Sequence, residues 1–473
     1  MSTATTTSEQ SQAPESSPRV LIAGGGLGGL FLGILLEKAG ISYEIFERSP
    51  EIKSIGKFIH STEHRNSPNI LPAFEQMGLY EELLSFSKPL RGGGVMLTDK
   101  LEVISEVEPT PIDNGIRSGF ISSSRVARHA VKQDPSSKLH MSKKVVSFEQ
   151  DQDGVTLTFG DNTTARGDIL VGADGANSAV HKHLYKTLEK KGLLPKADTR
   201  EMNKGYISLV GTTEALDPER YPDVLKEDCQ TRGIVGDGSN PYTNLLVQLG
   251  ITEAAVEGVG SSDWVSQDNQ KMLDEIRHFK TIYGTLGDLF DETRIEKVSK
   301  VYFEDMLFET WNHGRTILIG DAAHKLLSST GAGAANAMQD AVILANHIYD
   351  IKPTSFVNIQ AALDEYKEER FDKIKEQYPQ SYMAAKLMYG HISAPFRITL
   401  WERIFRQVVF NWLPKSIQMN QLRKDSAYRP QANFLPEAPK RGTVDTISQQ
   451  PSKRLQKEKE EEAKMKAAYV VAV

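Results

Sequence analysis

Three short segments of the chain carry residue types that do chemistry only in combination. In the first, RVLIAGGGLGGLFLG, Gly24, Gly26 and Gly29 satisfy the pattern G-x-G-x-x-G directly behind an apolar run and at the head of a helical one. The first glycine permits a tight turn, the second lets backbone approach a pyrophosphate, and the third lets the helix lie close to the sheet. The helix start then offers free N–H groups and the positive end of a dipole to phosphate oxygens. Glu47 ends the next strand about twenty residues on, where a carboxylate binds ribose hydroxyls, and Arg48 beside it is counted with the cofactor-binding residues. Glycine triplets also occur in plain turns. With strand, helix and acid all in place they specify a dinucleotide site, without choosing between NAD and FAD.

The second segment, GDILVGADGANSAV, places Asp174 and Gly175 behind an apolar strand, at the carboxyl edge of a sheet where ligands bind. An Asp-Gly turn ending a strand is the plainer reading of the same residues. The third segment, GRTILIGDAAHKLLSSTGAGAANAMQDAVILANHI, delivers Asp321 at the end of another apolar strand. A loop with Gly331 and Gly333 follows and opens a helix near Ala334. Asp321 can accept hydrogen bonds from a ribityl chain, which only a flavin has. The helix start can aim its N–H groups at the flavin's pyrimidine edge, where negative charge gathers on reduction. Together the three segments specify FAD. His324, next to this loop, is read as structural in preference to catalytic.

These residues need a sheet to hold them. Val20–Ala23 is apolar on both faces, as a central parallel strand should be. A helix over 28–39 closed by Gly40 and a strand over 42–47 complete a βα unit. Helical patterning recurs over 68–80, 269–279 and 334–349, and Arg91–Gly94 marks a turn. The alternation across 145–159 around Asp153-Gly154 predicts a hairpin, and 168–171 and 316–319 predict further buried strands. The expected fold is α/β, with a Rossmann-type, GR2-like FAD-binding domain built discontinuously from 19–200 and 311–350. An inserted β-sheet domain over 201–310, with strand-like runs at 206–210 and 245–249, is expected to bind substrate. Residues 351–435 read as a helical region, 1–18 as too polar to fold, and 436–473 as a polar tail.

Composition bounds the alternatives. The chain has 473 residues, 39% hydrophobic and 25% charged, as a soluble globular protein does. A formal net charge of −6 argues against a nucleic-acid partner. One cysteine, Cys229, leaves no internal disulfide and fits a reducing, cytoplasmic setting. No CxxC or HExxH spacing suggests a metal, and no G-x-S-x-G elbow suggests a serine hydrolase. Trp401, Phe405, Val408 and Trp412 share one helical face, with Arg403 and Arg406 elsewhere. Such a helix can lie in a membrane interface, although packing against the FAD domain is the favoured reading.

Over roughly residues 19–348 the three segments resemble the FAD-binding set of class A flavoprotein monooxygenases, the p-hydroxybenzoate hydroxylase type. VYFEDMLFETWNHGR, Val301–Arg315, resembles the fungal branch with indole-diterpene and meroterpenoid epoxidases. The resemblance implies bound FAD, transient NADPH or NADH, and transfer of one atom of O2 to a small hydrophobic organic substrate, by hydroxylation or epoxidation. It implies no second Rossmann motif, and it assigns no catalytic side chain. An FAD-dependent reductase or dehydrogenase, or a flavin-binding protein that has lost oxygenation, are the alternatives. Four positions depart from the family pattern. The arginine of an R-x-x-L segment falls at Ser123, with Arg125 and Arg128 close by. The arginine closing the Asp-Gly segment is His181, with Lys182 next to it. A proline falls at Ser328, and the glutamine of G-Q-G is Ala332. These changes bear on the flavin-ring loop and the nicotinamide side, and leave the residues for phosphate, ribose and ribityl intact.

Overall fold

Strands with no exposed position demand cover on both faces of a sheet, and three such strands form the middle of one sheet. The computed structural model describes residues 17–51, 58–60, 70–86, 88–89, 95–98, 100–106, 119–122, 138–210, 213, 216–222, 230–235, 244–249, 299–327, 331–389 and 428–438, with parts of 270–293. β1 (Val20–Ala23), fully buried, leads into α1 (Leu27–Lys38) and β2 (Tyr43–Phe46). After β3 (Leu139–His140) come β4 (Val145–Gln150), β5 (Val155–Phe159) and β6 (Thr164–Gly167), an antiparallel meander that contains the expected hairpin. β7 (Ile169–Gly172), α2 (Ala179–Lys190) and β8 (Asn203–Val210) follow. Then come β9 (Ser299–Leu307), β10 (Asn312–His313), β11 (Thr316–Leu318), β12 (His324–Lys325), α3 (Gly333–Tyr349) and α4 (Phe356–Tyr389).

The main sheet has the order β10-β11-β7-β1-β2-β3, parallel throughout except at β10. From β1 the chain winds outward through β2 and β3, and later through β7 and β11 on the other side. The winding direction therefore reverses between β1 and β7. In open α/β sheets that reversal leaves a crevice at the carboxyl ends of the two strands, where ligands bind. α1 packs along α3, and Gly28 allows it, since a Cβ there would lie 3.3 Å from the Ala337 carbonyl oxygen.

At the opposite edge, buried Arg315 ties the meander to the start of β11. Its guanidinium donates to the carbonyls of Asp151 and Asp168, both at 3.0 Å, and of Gln152. Outside the main sheet, β8, β9 and β12 form one antiparallel sheet. A four-stranded sheet joins Asn244–Leu249, Gln230–Val235, Val95–Thr98 and Val103–Glu106, with Arg232 opposite Val95. Two of its strands come from within 19–200 and two from within 201–310, so it spans the boundary expected at residue 200.

The helical run expected over 68–80 is instead two short helices, Leu71–Gln76 and Tyr80–Phe86. Gly78, at φ +76°, turns the chain between them. A segment around residues 428–438 is sewn onto the first of these helices and onto α3 by carboxamides. Gln76 accepts from the Ala432 N–H at 2.8 Å and donates to the Ala432 and Pro436 carbonyls. Asn346 of α3 donates to the Gln431 carbonyl and accepts from the Asn433 N–H, both at 2.9 Å. Among the described residues no helix is long and apolar enough to cross a membrane, and no group of His, Cys, Asp or Glu is arranged to hold a metal. Residues 1–16, Arg91–Gly94, Ser123, Arg125, Arg128, Ser328, Trp401–Trp412 and 439–473, for which the sequence carries expectations, lie outside the described residues.

Candidate flavin site

The glycine loop and the Asp-Gly loop meet at the switch point. Gly24 has φ +110°, and a Cβ on it would sit 2.4 Å from the Ala173 carbonyl oxygen, so no other residue fits. Gly29 is held as tightly, with an added Cβ 2.1 Å from the Gly24 oxygen. Gly26 is exposed, and nothing lies within 4 Å of the place a Cβ would take. It begins α1 with no side-chain cap and no acidic residue in the first turn. The start of α1 is thus uncapped by any side chain and uncrowded at Gly26, an arrangement that suits a phosphate. Glu47 is fixed beside this loop, taking the Gly25 N–H at 2.7 Å and the Ser49 N–H at 2.8 Å. Each carboxylate oxygen keeps a further lone pair for a hydroxyl donor. Arg48 is exposed next to it.

Asp174 is engaged differently. Its Oδ2 accepts from the Ala179 N–H at 2.6 Å, and its Oδ1 from the Ser178 hydroxyl. Ser178 in turn caps α2 by accepting the His181 N–H at 2.9 Å. The Asp174 carboxylate is therefore bound to a helix N-terminus, and Gly175, at φ +79°, makes the turn that brings it there. His181, in the family's arginine position, stacks on Tyr185 with ring centroids 3.8 Å apart. Its Nδ1 lies 2.8 Å from the Ala322 carbonyl oxygen. Burial holds its pKa below the usual histidine value despite that bond, so the ring is neutral and Nδ1 carries the donated proton. His181 thus links the second segment to the third. Lys182 is exposed on α2.

In the third segment Gly320, at φ +59°, turns the chain from β11 to Asp321. Asp321 is half-buried and makes no hydrogen bond or ion pair among the described residues. Its Oδ1 lies 3.9 Å from where a Cβ on Gly333 would be. Gly331, at φ +65°, precedes α3, which starts at Gly333 behind Ala332. That helix start also has no side-chain cap and no acid in its first turn. A free carboxylate beside an uncapped, acid-free helix start fits a ligand offering hydroxyl donors at one point and an electron-rich edge at the next. Glu47, Asp321 and the two helix starts therefore suit FAD.

A family profile described as an FAD binding domain matches residues 18–210 and 252–378. The chain belongs to this family, the p-hydroxybenzoate hydroxylase type of class A flavoprotein monooxygenases. Its cofactor is FAD and its activity that of an FAD-dependent monooxygenase. Among its relatives, the FAD-dependent monooxygenase paxM of Penicillium paxilli is 27% identical over 380 residues, 77% of each chain. The aurachin C monooxygenase/isomerase of Stigmatella aurantiaca is 26% identical over 399 residues, 82% of this chain and 94% of the relative. The crystal structure of Klebsiella pneumoniae HpxO with FAD and uric acid shares the fold, with a TM-score of 0.62 and 20% identity over 86% of this chain and 96% of that one.

Behind the Gly320 turn of this monooxygenase lies a buried ionic network that sequence reasoning missed. Asp340 of α3, fully buried, accepts from the Gly320 N–H at 2.8 Å through Oδ2, which also faces His324 Nε2 at 2.7 Å. Its Oδ1 takes Arg370 Nε of α4 at 2.7 Å. Burial alone would raise the Asp340 pKa, but His324, Arg370 and the Gly320 N–H hold it down to about 2. His324 is itself buried, with its ring packed beside Trp311. The available signal was the polar set Asn336, Gln339, Asp340, Asn346 and His347, all buried in an otherwise apolar helix. Arg370 gave no signal among the charged residues around it.

Proposed function

We propose that FAD lies across the crevice between β1 and β7, with its pyrophosphate at Gly24, Gly26 and Gly29 and its ribose at Glu47 and Arg48. Asp321 takes the ribityl hydroxyls. Gly331, Gly333 and Ala334 present the start of α3 to the pyrimidine edge, and the turn at Asp174 and Gly175 closes the crevice from the other side. The observation that carries this reading is the contrast at Asp321, an acid without a partner among the described residues, beside a helix start without a side-chain cap. FAD, when bound, supplies the redox chemistry and the oxygen transfer, while the protein supplies orientation, dryness and fixed dipoles. The dipole of α3 favours negative charge at the pyrimidine edge.

NADPH or NADH is the transient reductant in this reading, and the substrate is a small hydrophobic organic molecule that is hydroxylated or epoxidised. Residues 201–310 form most of the cover over the flavin, with the strands at 95–106 completing one of its sheets. Residues 19–200 and 311–350 hold FAD, and 351–435 buttress them. Anaerobic addition of NADPH, and separately NADH, to the purified holoprotein tests the reductant. Bleaching of the flavin bands is expected with one or both, whereas bands that persist even with candidate substrates present would sink the nicotinamide assignment. Incorporation of oxygen-18 from 18O2 into product tests oxygen transfer, and product without label would point to a dehydrogenase.

A further inference from the structure

Gly320 is held from several sides. A Cβ on it would lie 3.0 Å from Ala337 Cβ, so the turn is pressed against α3. Its N–H is spent on Asp340, and the Ala322 carbonyl two residues on is taken by His181. Where Asp321 points is therefore decided by how the Gly320 peptide sits on α3. The group deciding that is a single carboxylate joining four elements: the turn after β11, β12 through His324, α3 itself, and α4 through Arg370.

We propose that Asp340, held in place by Arg370 and His324, is a positioning residue for FAD, so that α4 takes part in cofactor binding without touching the cofactor. The inference rests on the reading of Asp321 as the ribityl ligand. The chemistry calls for a carboxylate and not its amide. Gly320 N–H and Arg370 Nε–H are both donors, and they approach opposite oxygens of Asp340. An asparagine has one acceptor oxygen, and whichever way it turns, its NH2 meets one of these donors. Arg370 cannot readily swing away. Its NH1 faces Gln339 Oε1 at 3.3 Å and its NH2 faces Asn336 Oδ1 at 3.2 Å, while its guanidinium lies over the Tyr428 ring.

The test titrates FAD into full-length apoprotein, following quenching of flavin fluorescence, with thermal unfolding of each apoprotein alongside. Asp340→Asn is expected to weaken FAD binding about ten- to hundredfold, the range for losing a charge-assisted bond at the ligand. Arg315→Met is the control, because it removes a buried clamp at the opposite edge of the sheet. It is expected to lower the unfolding temperature while FAD binds as in the parent. Should Asp340→Asn not fold, Asp340→Leu/Arg370→Met replaces it, since the double change also removes the orphaned buried cation. Parent-like FAD affinity in the Asp340 variant, or equal weakening in Arg315→Met at a matched loss of stability, would overturn the proposal. A parent apoprotein that takes up no FAD would instead overturn the flavin reading beneath it.

Discussion

Asp174 and Asp321 occupy equivalent places, each just past the carboxyl end of a parallel strand, on neighbouring strands β7 and β11. Their carboxylates nonetheless end in opposite situations. Asp174 is consumed by the N-terminus of α2, taking the Ser178 hydroxyl and the Ala179 N–H. Asp321 takes nothing from the described residues, while the Gly320 N–H just before it is spent on Asp340. The two loops thus differ in which acid satisfies the backbone of the turn. One loop stabilises itself with its own acid. The other borrows an acid from the helix behind.

The largest test breaks the contact the loops after β1 and β7 share. Gly24→Val would drive a Cβ into the Ala173 carbonyl and force a β-branched residue to φ +110°. A loss of about 3 kcal/mol or more is expected, read by thermal unfolding and by flavin retained through gel filtration. Next comes Asp321→Ala, expected to weaken FAD by about 1.5–3 kcal/mol while the apoprotein unfolds at the parent temperature. Asp174→Ala should do the reverse, lowering apoprotein stability by about 0.5–2 kcal/mol through the lost helix-start bonds and changing FAD affinity less than Asp321→Ala does. If both variants lost affinity equally, the two loops would not differ as described.

Smaller effects sharpen the contrast along α3, between its loop end and its far end. There His347 is buried, with Glu365 Oε2 3.5 Å from Nδ1 and Glu369 Oε2 3.4 Å from Nε2. Burial lowers its pKa, but the two carboxylates outweigh it and leave the pKa above the ordinary histidine value. A raised folded pKa stabilises fully below the unfolded value of about 6.5 and loses that stabilisation as pH rises through the folded one. The unfolding-temperature gap between parent and His347→Gln should therefore be widest below about pH 6 and shrink towards pH 9. A gap independent of pH would remove the charge from the explanation. Lys182→Ala, on the exposed face of α2, should change FAD binding by no more than about 0.5 kcal/mol. A larger loss would restore Lys182 as a substitute for the family's arginine.

The parts of the fold that were legible are those where one residue type alone fits. β1, β7 and β11 are buried along their whole length, and apolar but for Thr316, because both faces are covered. Gly24 and Gly29 are glycines because carbonyl oxygens occupy the space a side chain would need. The division of labour between Asp174 and Asp321 was not legible, since a strand followed by an acid reads the same whether the acid caps a helix or meets a ligand. The Asp340–Arg370 pair was hidden for another reason. Its members lie 30 residues apart on different helices, and local periodicity carries no information about which buried acid meets which cation. The pairing of Val95–Thr98 with Arg232–Val235 is longer-range still. The helix expected over 68–80 failed at Gly78, where an apolar pattern concealed a left-handed turn.

Gln76 bonds Ala432, a sequence separation of 356 residues. At ribosomal elongation of roughly 5–20 residues per second, the two are made roughly 20–70 s apart. For that time the early helix Leu71–Gln76 is in the cell without the segment that covers it. The nascent chain therefore cannot finish its cofactor domain in the order it emerges, and the last stitch is placed only once synthesis has passed residue 438. Any fusion or truncation that removes 428–438 would leave α3 and that early helix with the same unfinished surface.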